Sequence, residues 1–202
     1  EKTYAILERT RLTIPLAKRT KSVLGVDQTL QSLIFLKKRI EDENLKNIDL
    51  LCDDLNKKLA TDRKFDIAIV NGVLEWIPEK GDIELKQYYG KKVKKDYTFN
   101  PQKMQTDFLK KVYSNLNKNG KLYLAIENRY DFKMFLGLKD PHSNLVFTSF
   151  LPRKIANFIS MRKLGRPYVN WLYSFSTLKN LLNDVGFSTV DLYCCFPDYH
   201  FP

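Results

Sequence analysis

Acid and amide side chains recur directly after short apolar runs in this sequence: Glu8, Asp27, the pair Asp53 and Asp54, Asn71, and the pair Glu127 and Asn128. In an open α/β sheet, ligands bind beyond the carboxyl ends of the strands, where helix N-termini and free backbone amides gather. Polar groups at one end of successive apolar strands are what a nucleoside-binding crevice requires. Asp27 closes the run Val23-Leu24-Gly25-Val26, and a carboxylate there can accept two hydrogen bonds from the vicinal hydroxyls of a ribose. It also precedes a helical stretch starting at Leu30, where an aspartate serves equally as a cap. Asp54 follows Ile48 to Cys52 and suits the exocyclic amine of an adenine, or is an ordinary loop aspartate. For proton transfer the candidates are His142 and Glu127. Histidine titrates near neutrality, yet a lone histidine in a polar loop is often only solvated. The second histidine, His200, is less well placed in the terminal segment.

Positioning these groups requires a sheet with helical crossovers. Strands are expected at Tyr4 to Leu7, Ser22 to Val26, Ile48 to Cys52, Phe65 to Val70, Lys121 to Ile126 and Thr189 to Cys195. Their alternation with helical patterns is the signature of βαβ units around a parallel sheet. From Leu30 to Glu43, Leu30, Leu33, Ile34, Leu36 and Ile40 fall largely on one helical face. Thr106 to Leu116 repeats the pattern, and Asn119-Gly120 reads as its C-terminal stop. A lysine- and tyrosine-rich stretch at 79–101 reads as an insertion. Residues 131–165 are irregular but too apolar for a free linker, and read as a cap or lid. The expected architecture is one α/β domain over 1–202, a Rossmann-like, largely parallel sheet flanked by helices.

Lysine and arginine number 34 against 23 aspartates and glutamates, a formal net charge of +11. That excess favours anionic partners. It concentrates at Lys91, Lys92, Lys94 and Lys95, and again at Arg153, Lys154, Arg162, Lys163 and Arg166. A solvated surface is the plain reading of both clusters; nucleic acid, lipid headgroups or a phosphorylated substrate are the specific ones. Cys52, Cys194 and Cys195 are an odd set without paired spacing, so neither a disulfide framework nor a metal site is expected. A cytoplasmic location follows as the expectation. No apolar run reaches the ~20 residues of a membrane span.

A family resemblance rests on ordered motifs. Val-Leu-Gly-Val-Asp at 23–27, Leu-Leu-Cys-Asp-Asp-Leu at 50–55, Phe-Asp-Ile-Ala-Ile-Val-Asn-Gly-Val-Leu-Glu-Trp-Ile-Pro at 65–78 and Leu-Asn-Lys-Asn-Gly-Lys-Leu-Tyr-Leu-Ala-Ile-Glu-Asn at 116–128 resemble the later motifs of class I S-adenosylmethionine-dependent methyltransferases. The resemblance implies that fold and S-adenosylmethionine as cofactor. It gives the ribose to Asp27, the adenine to Asp54 and the backbone of Leu55, and the methionine end to Asn71 with Gly72. Glu8 would be the acid closing the first strand. The stretch from Ile126-Glu127-Asn128-Arg129 through Leu136-Gly137 to Asp140-Pro141-His142-Ser143, followed by Tyr173-Ser174 and Phe196-Pro197-Asp198-Tyr199, is similar to a bacterial subset associated with surface-polysaccharide biosynthesis, which implies O-methylation of a small-molecule or sugar acceptor. An RNA or DNA methyltransferase is the alternative suggested by the charge, although Asn71-Gly72-Val73-Leu74 stands where base amino-methylation would want Asn-Pro-Pro-Tyr. A dinucleotide-dependent dehydrogenase fits the later motifs poorly.

The pattern departs at the start, where Ile6-Leu7-Glu8 meets Arg9-Thr10-Arg11 without a glycine. Glycine lets the backbone turn sharply and approach a cofactor, and arginine does not. Either the glycine-rich loop is missing from the sequence as given, or the chain is an inactive, methyltransferase-like binding module. Intact flanks favour the first. The family's closing antiparallel strand is also unaccounted for before Pro202, so the domain is expected to be incomplete at both ends.

Overall fold

The computed structural model describes residues 2–7, 12–55, 61–78 and 100–195. They form two compact units, Glu1–Leu74 with Asp107–Ala125, and Glu75–Thr106 with Ile126–Pro202.

The first unit is a five-stranded sheet. Its strands are β1 (Thr3–Leu7), β2 (Ser22–Asp27), β3 (Ile48–Cys52), β4 (Phe65–Asn71) and β5 (Leu116–Ala125), in the order β3-β2-β1-β4-β5. Every pairing among them is parallel. Parallel sheets need both faces covered, and the registers show how. Ile6 pairs with Gly25 and Ile69; on that face Ile6, Val23 and Ile69 pack with Ala17 of α1 (Thr13–Ala17). Leu36 and Ile40 of α2 (Leu30–Asp42) join Ile14 in an adjoining cluster. The alternate residues Ala5, Leu7, Leu24, Val26 and Ala68 line a small cavity on the other face, together with Val112 of α3 (Pro101–Ser114).

Three expectations need correction. The helix expected over Thr106 to Leu116 stops at Ser114, and β5 begins at Leu116, ahead of the Asn119-Gly120 stop. Asn115 is the reason: its carbonyl accepts the Phe65 amide at 2.9 Å, and its side-chain amide donates to the carbonyls of Thr61 and Arg63 at 3.2 and 3.0 Å. Gly120 instead serves a bulge, where Phe65 pairs with Leu116 and Ile67 with Lys121. A Cβ on Gly120 would lie 2.9 Å from the Leu116 Cβ and 3.0 Å from the carbonyl oxygens of Asn117 and Phe65. Gly120→Ala should therefore destabilise by about 1–3 kcal/mol, read as a lower urea midpoint; an unchanged midpoint would show that the bulge relaxes freely.

Thr189 to Cys195 form no strand. Apolar alternation needs a neighbouring strand to complete its ladder, and Tyr193, 82% exposed, has none among the described residues. Residues 131–165, expected to be irregular, contain α4 (Phe132–Phe135), a 3-10 turn at Thr148–Phe150 and the three-turn helix α5 (Arg153–Leu164). The second unit ends with α6 (Phe175–Val185), whose first turn is held by a reciprocal capping box between Ser174 and Thr177. Nearly all of the 79–101 insertion lies outside the described residues.

Candidate functional site

In the first unit the register fixes the strand-end groups. Val26 and Val70 both pair with Leu7, so the next residues, Asp27 and Asn71, stand on either side of the end of β1. Two strand spacings, about 10 Å, separate their backbones. On the outer side Cys52 pairs with Asp27. The Asp53 amide then donates to the Asp27 carbonyl at 3.1 Å, and the Asp54 amide to Asp53 Oδ1 at 2.8 Å. That turn delivers Asp54 and the buried Leu55 to the same end of the sheet. Asp27, Asp54, Leu55, Asn71 and Gly72 thus lie at the same end of the sheet. Glu8 and Arg9-Thr10-Arg11 lie outside the described residues.

The structure bears on the capping reading of Asp27. Its Oδ1 accepts the Thr29 amide at 2.7 Å, an Asx turn into α2. Thr29 at the N-cap makes no side-chain cap bond of its own. The second carboxylate oxygen has no hydrogen bond among the described residues. In the next position, Gln28 Oε1 is buried with no hydrogen-bond partner among the described residues. Gly72 has φ 62°, left-handed backbone that a glycine takes without strain, and its amide donates to the Ala125 carbonyl at 3.0 Å. The chain therefore swings off β4 just past Asn71 while staying tied to β5. Lys111 reaches this end from α3. Burial lowers its pKa, while the charges of Asp107, Asp54 and Asp53 act the other way.

In the second unit the two candidates for proton transfer come together. His142 Nδ1 is 3.7 Å from Glu127 Oε2 and 3.3 Å from Asp140 Oδ1. His142 is only 8% exposed, so the solvated-loop alternative does not hold. Asp140, 1% exposed, is the hub that makes this burial tolerable. Its carboxylate accepts from the His142 amide at 2.9 Å, Ser143 Oγ at 2.8 Å, Tyr168 Oη at 3.0 Å and Asn170 Nδ2 at 2.9 Å. Burial alone would raise the Asp140 pKa. The bonds donated by His142, Asn170 and Ser143 outweigh it and hold the carboxyl far below its usual range. Burial would likewise lower the His142 pKa, but the Asp140 bond and the carboxylates of Glu127, Asp140 and Glu75 raise it above the ordinary value. With Nδ1 turned to the acids, Nε2 is buried with no hydrogen-bond partner among the described residues. The Trp76 ring packs against the imidazole at 4.3 Å between centroids.

Around this hub, burial also keeps Tyr168 protonated as a donor. The Arg153 guanidinium lies 5.3 Å over the Tyr168 ring and 5.1 Å over Trp171. Burial lowers its pKa to about 10. Arg129 donates through Nε to the Ser149 carbonyl and through one terminal nitrogen to those of Phe150 and Leu151, while its amide binds the Tyr173 carbonyl. Buried Gln105 accepts the Tyr173 hydroxyl at 2.7 Å.

Sequence reasoning did not single out Asp140, Glu75, Trp76, Tyr168 or Asn170. One local signal was present. In Asp140-Pro141-His142-Ser143 the carboxylate can accept from the amide two residues on and the hydroxyl three residues on, as an Asx turn does. Tyr168 and Asn170 arrive from far along the chain and leave no local trace. Among the described residues, no group of three or more His, Cys, Asp or Glu is arranged to hold a metal ion, and no helix is long and apolar enough to cross a membrane.

The family described as a methyltransferase domain matches residues 9–89. Comparison with curated proteins found no match. Among solved structures, the Rickettsia typhi protein PKMT2 superposes with a TM-score of 0.56 at 17% identity, over 91% of this chain and 38% of its own. An S-adenosylmethionine-dependent methyltransferase from Clostridium acetobutylicum gives 0.51 at 21% identity, over 68% of this chain and 48% of its own. The (4+2)-cyclase SpnF gives 0.54 at 11% identity, over 94% and 52%. The fold is that of the class I methyltransferases, and the chain spans about half or less of the length of these structures. A cyclase on the same fold shows that the reaction must be argued from the site.

Proposed function

We propose that this chain is the cofactor-binding core of an S-adenosylmethionine-dependent methyltransferase that O-methylates a small-molecule or sugar acceptor. The observation that carries the reading is the placement of Asp27 and Asn71 on either side of the end of β1, with Asp54 following the paired Cys52, inside and around the stretch that matches a methyltransferase domain. The residues fit the cofactor. Asp27 keeps one carboxylate oxygen for ribose hydroxyls, Gln28 in the next position has a buried Oε1 with no hydrogen-bond partner among the described residues, and Gly72 gives Asn71 a neighbour without a side chain. Asp54 and the Leu55 backbone would take the adenine, and Glu8 would complete the set. When bound, S-adenosylmethionine supplies an electrophilic methyl group on a sulfonium sulfur.

In this reading His142 removes the acceptor's hydroxyl proton through Nε2. Asp140 fixes the imidazole through Nδ1, and Glu127 stabilises the imidazolium that forms. A His142 base works only while neutral, and its raised pKa puts that form on the alkaline side of ~6.5. With two histidines in the chain, NMR should resolve His142 titrating above ~6.5. Glu127→Gln, which removes one of the charges that raise it, should move the titration down. A His142 midpoint at or below the ordinary value in the unaltered chain would remove it as a charged partner of Glu127.

The cofactor assignment is tested by calorimetry with S-adenosylhomocysteine. One-to-one binding supports it, and absence of heat from a folded chain would leave the non-catalytic reading. The surface-polysaccharide association and the sugar acceptor rest on the motif resemblance from Ile126 to Ser143, at Tyr173-Ser174 and at Phe196 to Tyr199, and a screen of sugar hydroxyl acceptors with the intact protein addresses them.

A further inference from the structure

Helix α5 carries a surface that the proposed methyl transfer does not use. Its buried side is narrow, Ala156 and Ser160 being its buried residues. Opposite them, at a 100° rotation per residue, Phe158 is central and 61% exposed, flanked by Ile155 at 47% and Met161 at 51%. Between these apolar side chains stand exposed Lys154 and Arg162. The Arg162 guanidinium lies 5.2 Å over the Phe158 ring. Arg166 follows the Gly165 cap.

The charge around this face is one-sided. No aspartate or glutamate occurs between Asp140 and Asp184, a stretch that holds Arg153, Lys154, Arg162, Lys163, Arg166 and Lys179. A solvated helix of a soluble protein ordinarily mixes both signs. A single-stranded nucleic acid could stack on Phe158 but would give no role to the exposed aliphatic side chains of Ile155 and Met161 on either side of it. Aromatic and aliphatic side chains framed by lysine and arginine, with acids excluded, match the interface of an anionic bilayer, where apolar groups enter the acyl boundary and cations meet headgroups.

We propose that the outer face of α5 docks on an anionic lipid surface, Phe158, Ile155 and Met161 entering the interface and Lys154 and Arg162 meeting the headgroups. The test is co-sedimentation of the 202-residue chain with vesicles of phosphatidylcholine alone or mixed with phosphatidylglycerol. Binding is expected to the mixed vesicles, to fall with added salt, and to weaken roughly 30-fold in Lys154→Gln/Arg162→Gln, each cation near an anionic surface contributing about a fivefold factor. Phe158→Ser/Met161→Ser should also release the protein. These side chains are exposed, so circular dichroism should show both variants folded.

The proposal is overturned by equal binding to neutral vesicles or by no binding to either. Self-association that the Phe158→Ser/Met161→Ser variant abolishes would place a second copy on the face. Binding to a single-stranded oligonucleotide that the same variant leaves unchanged would make the surface a polyanion site. Neither S-adenosylhomocysteine binding nor methyl transfer enters these readouts, so this proposal and the enzymatic one fail separately.

Discussion

Asp140→Ala is expected to cost the second unit about 3–5 kcal/mol, the range for removing one partner from a buried ionic cluster. The loss has two parts. Tyr168, Asn170, Ser143 and the His142 amide each lose an acceptor in a site that excludes water, and a buried donor left unmatched costs about 1–3 kcal/mol. The imidazole would also lose its nearest counter-charge. The pH dependence follows from the shifts. Asp140 has a depressed pKa, so its stabilisation is present above the ordinary carboxylate value of ~3.9 and is lost as the pH falls toward the folded value. His142 has a raised pKa, so its contribution is complete below ~6.5 and fades as the pH rises through the folded value. Thermal melts of the unaltered chain should therefore peak on the mildly acidic side of neutrality, and Asp140→Ala should flatten both limbs. A variant that melts within a degree of the parent at every pH would show that the cluster is incidental to stability.

Asp27→Ala should weaken S-adenosylhomocysteine binding by about 100-fold, since two charge-assisted bonds to ribose hydroxyls are worth about 1.5 kcal/mol each or more. The substitution also removes the acceptor of the Thr29 amide, a loss of about 1 kcal/mol at the start of α2. Asp27→Asn separates the two effects. Its amide oxygen can still accept from Thr29, so stability should hold, while loss of the charge should weaken binding about tenfold. If Asp27→Asn instead loses stability and keeps full affinity in calorimetry, the residue is a helix cap only, and the ribose must be held elsewhere.

The strands up to β4 and the helix α2 could be read from the chain because each is set locally. Val23 to Val26 and Ile67 to Val70 are continuous apolar runs, as a strand buried on both faces demands, and Leu33, Leu36 and Ile40 recur at helical spacing. Where the reading failed, a distant partner decides the outcome. Asn115 ends α3 because Phe65, Thr61 and Arg63 recruit its backbone and side chain; without them Asn119-Gly120 is the better stop. Thr189 to Cys195 have a strand's composition but lack a neighbour to pair with among the described residues. The same holds within the candidate site. Asp27, Asp54 and Asn71 lie where any parallel strand ends, so position alone singled them out. His142 could be named as a candidate base from its chemistry, but its burial depends on Asp140, and that of Asp140 on Tyr168 and Asn170, beyond the reach of any sequence window.

Arg129 has a consequence for how the segment after it can vary. One residue grips the carbonyls of Ser149, Phe150 and Leu151 through its side chain and that of Tyr173 through its backbone. The intervening chain is fastened a second time where Asp140 accepts from Tyr168 and Asn170. Residues between the first fastening and Lys139 can lengthen at only logarithmic entropic cost, while the Asp140 turn and the entry to α5 stay anchored. Divergent relatives should therefore differ in length most freely between Arg129 and Lys139, and least around Asp140 and Leu151.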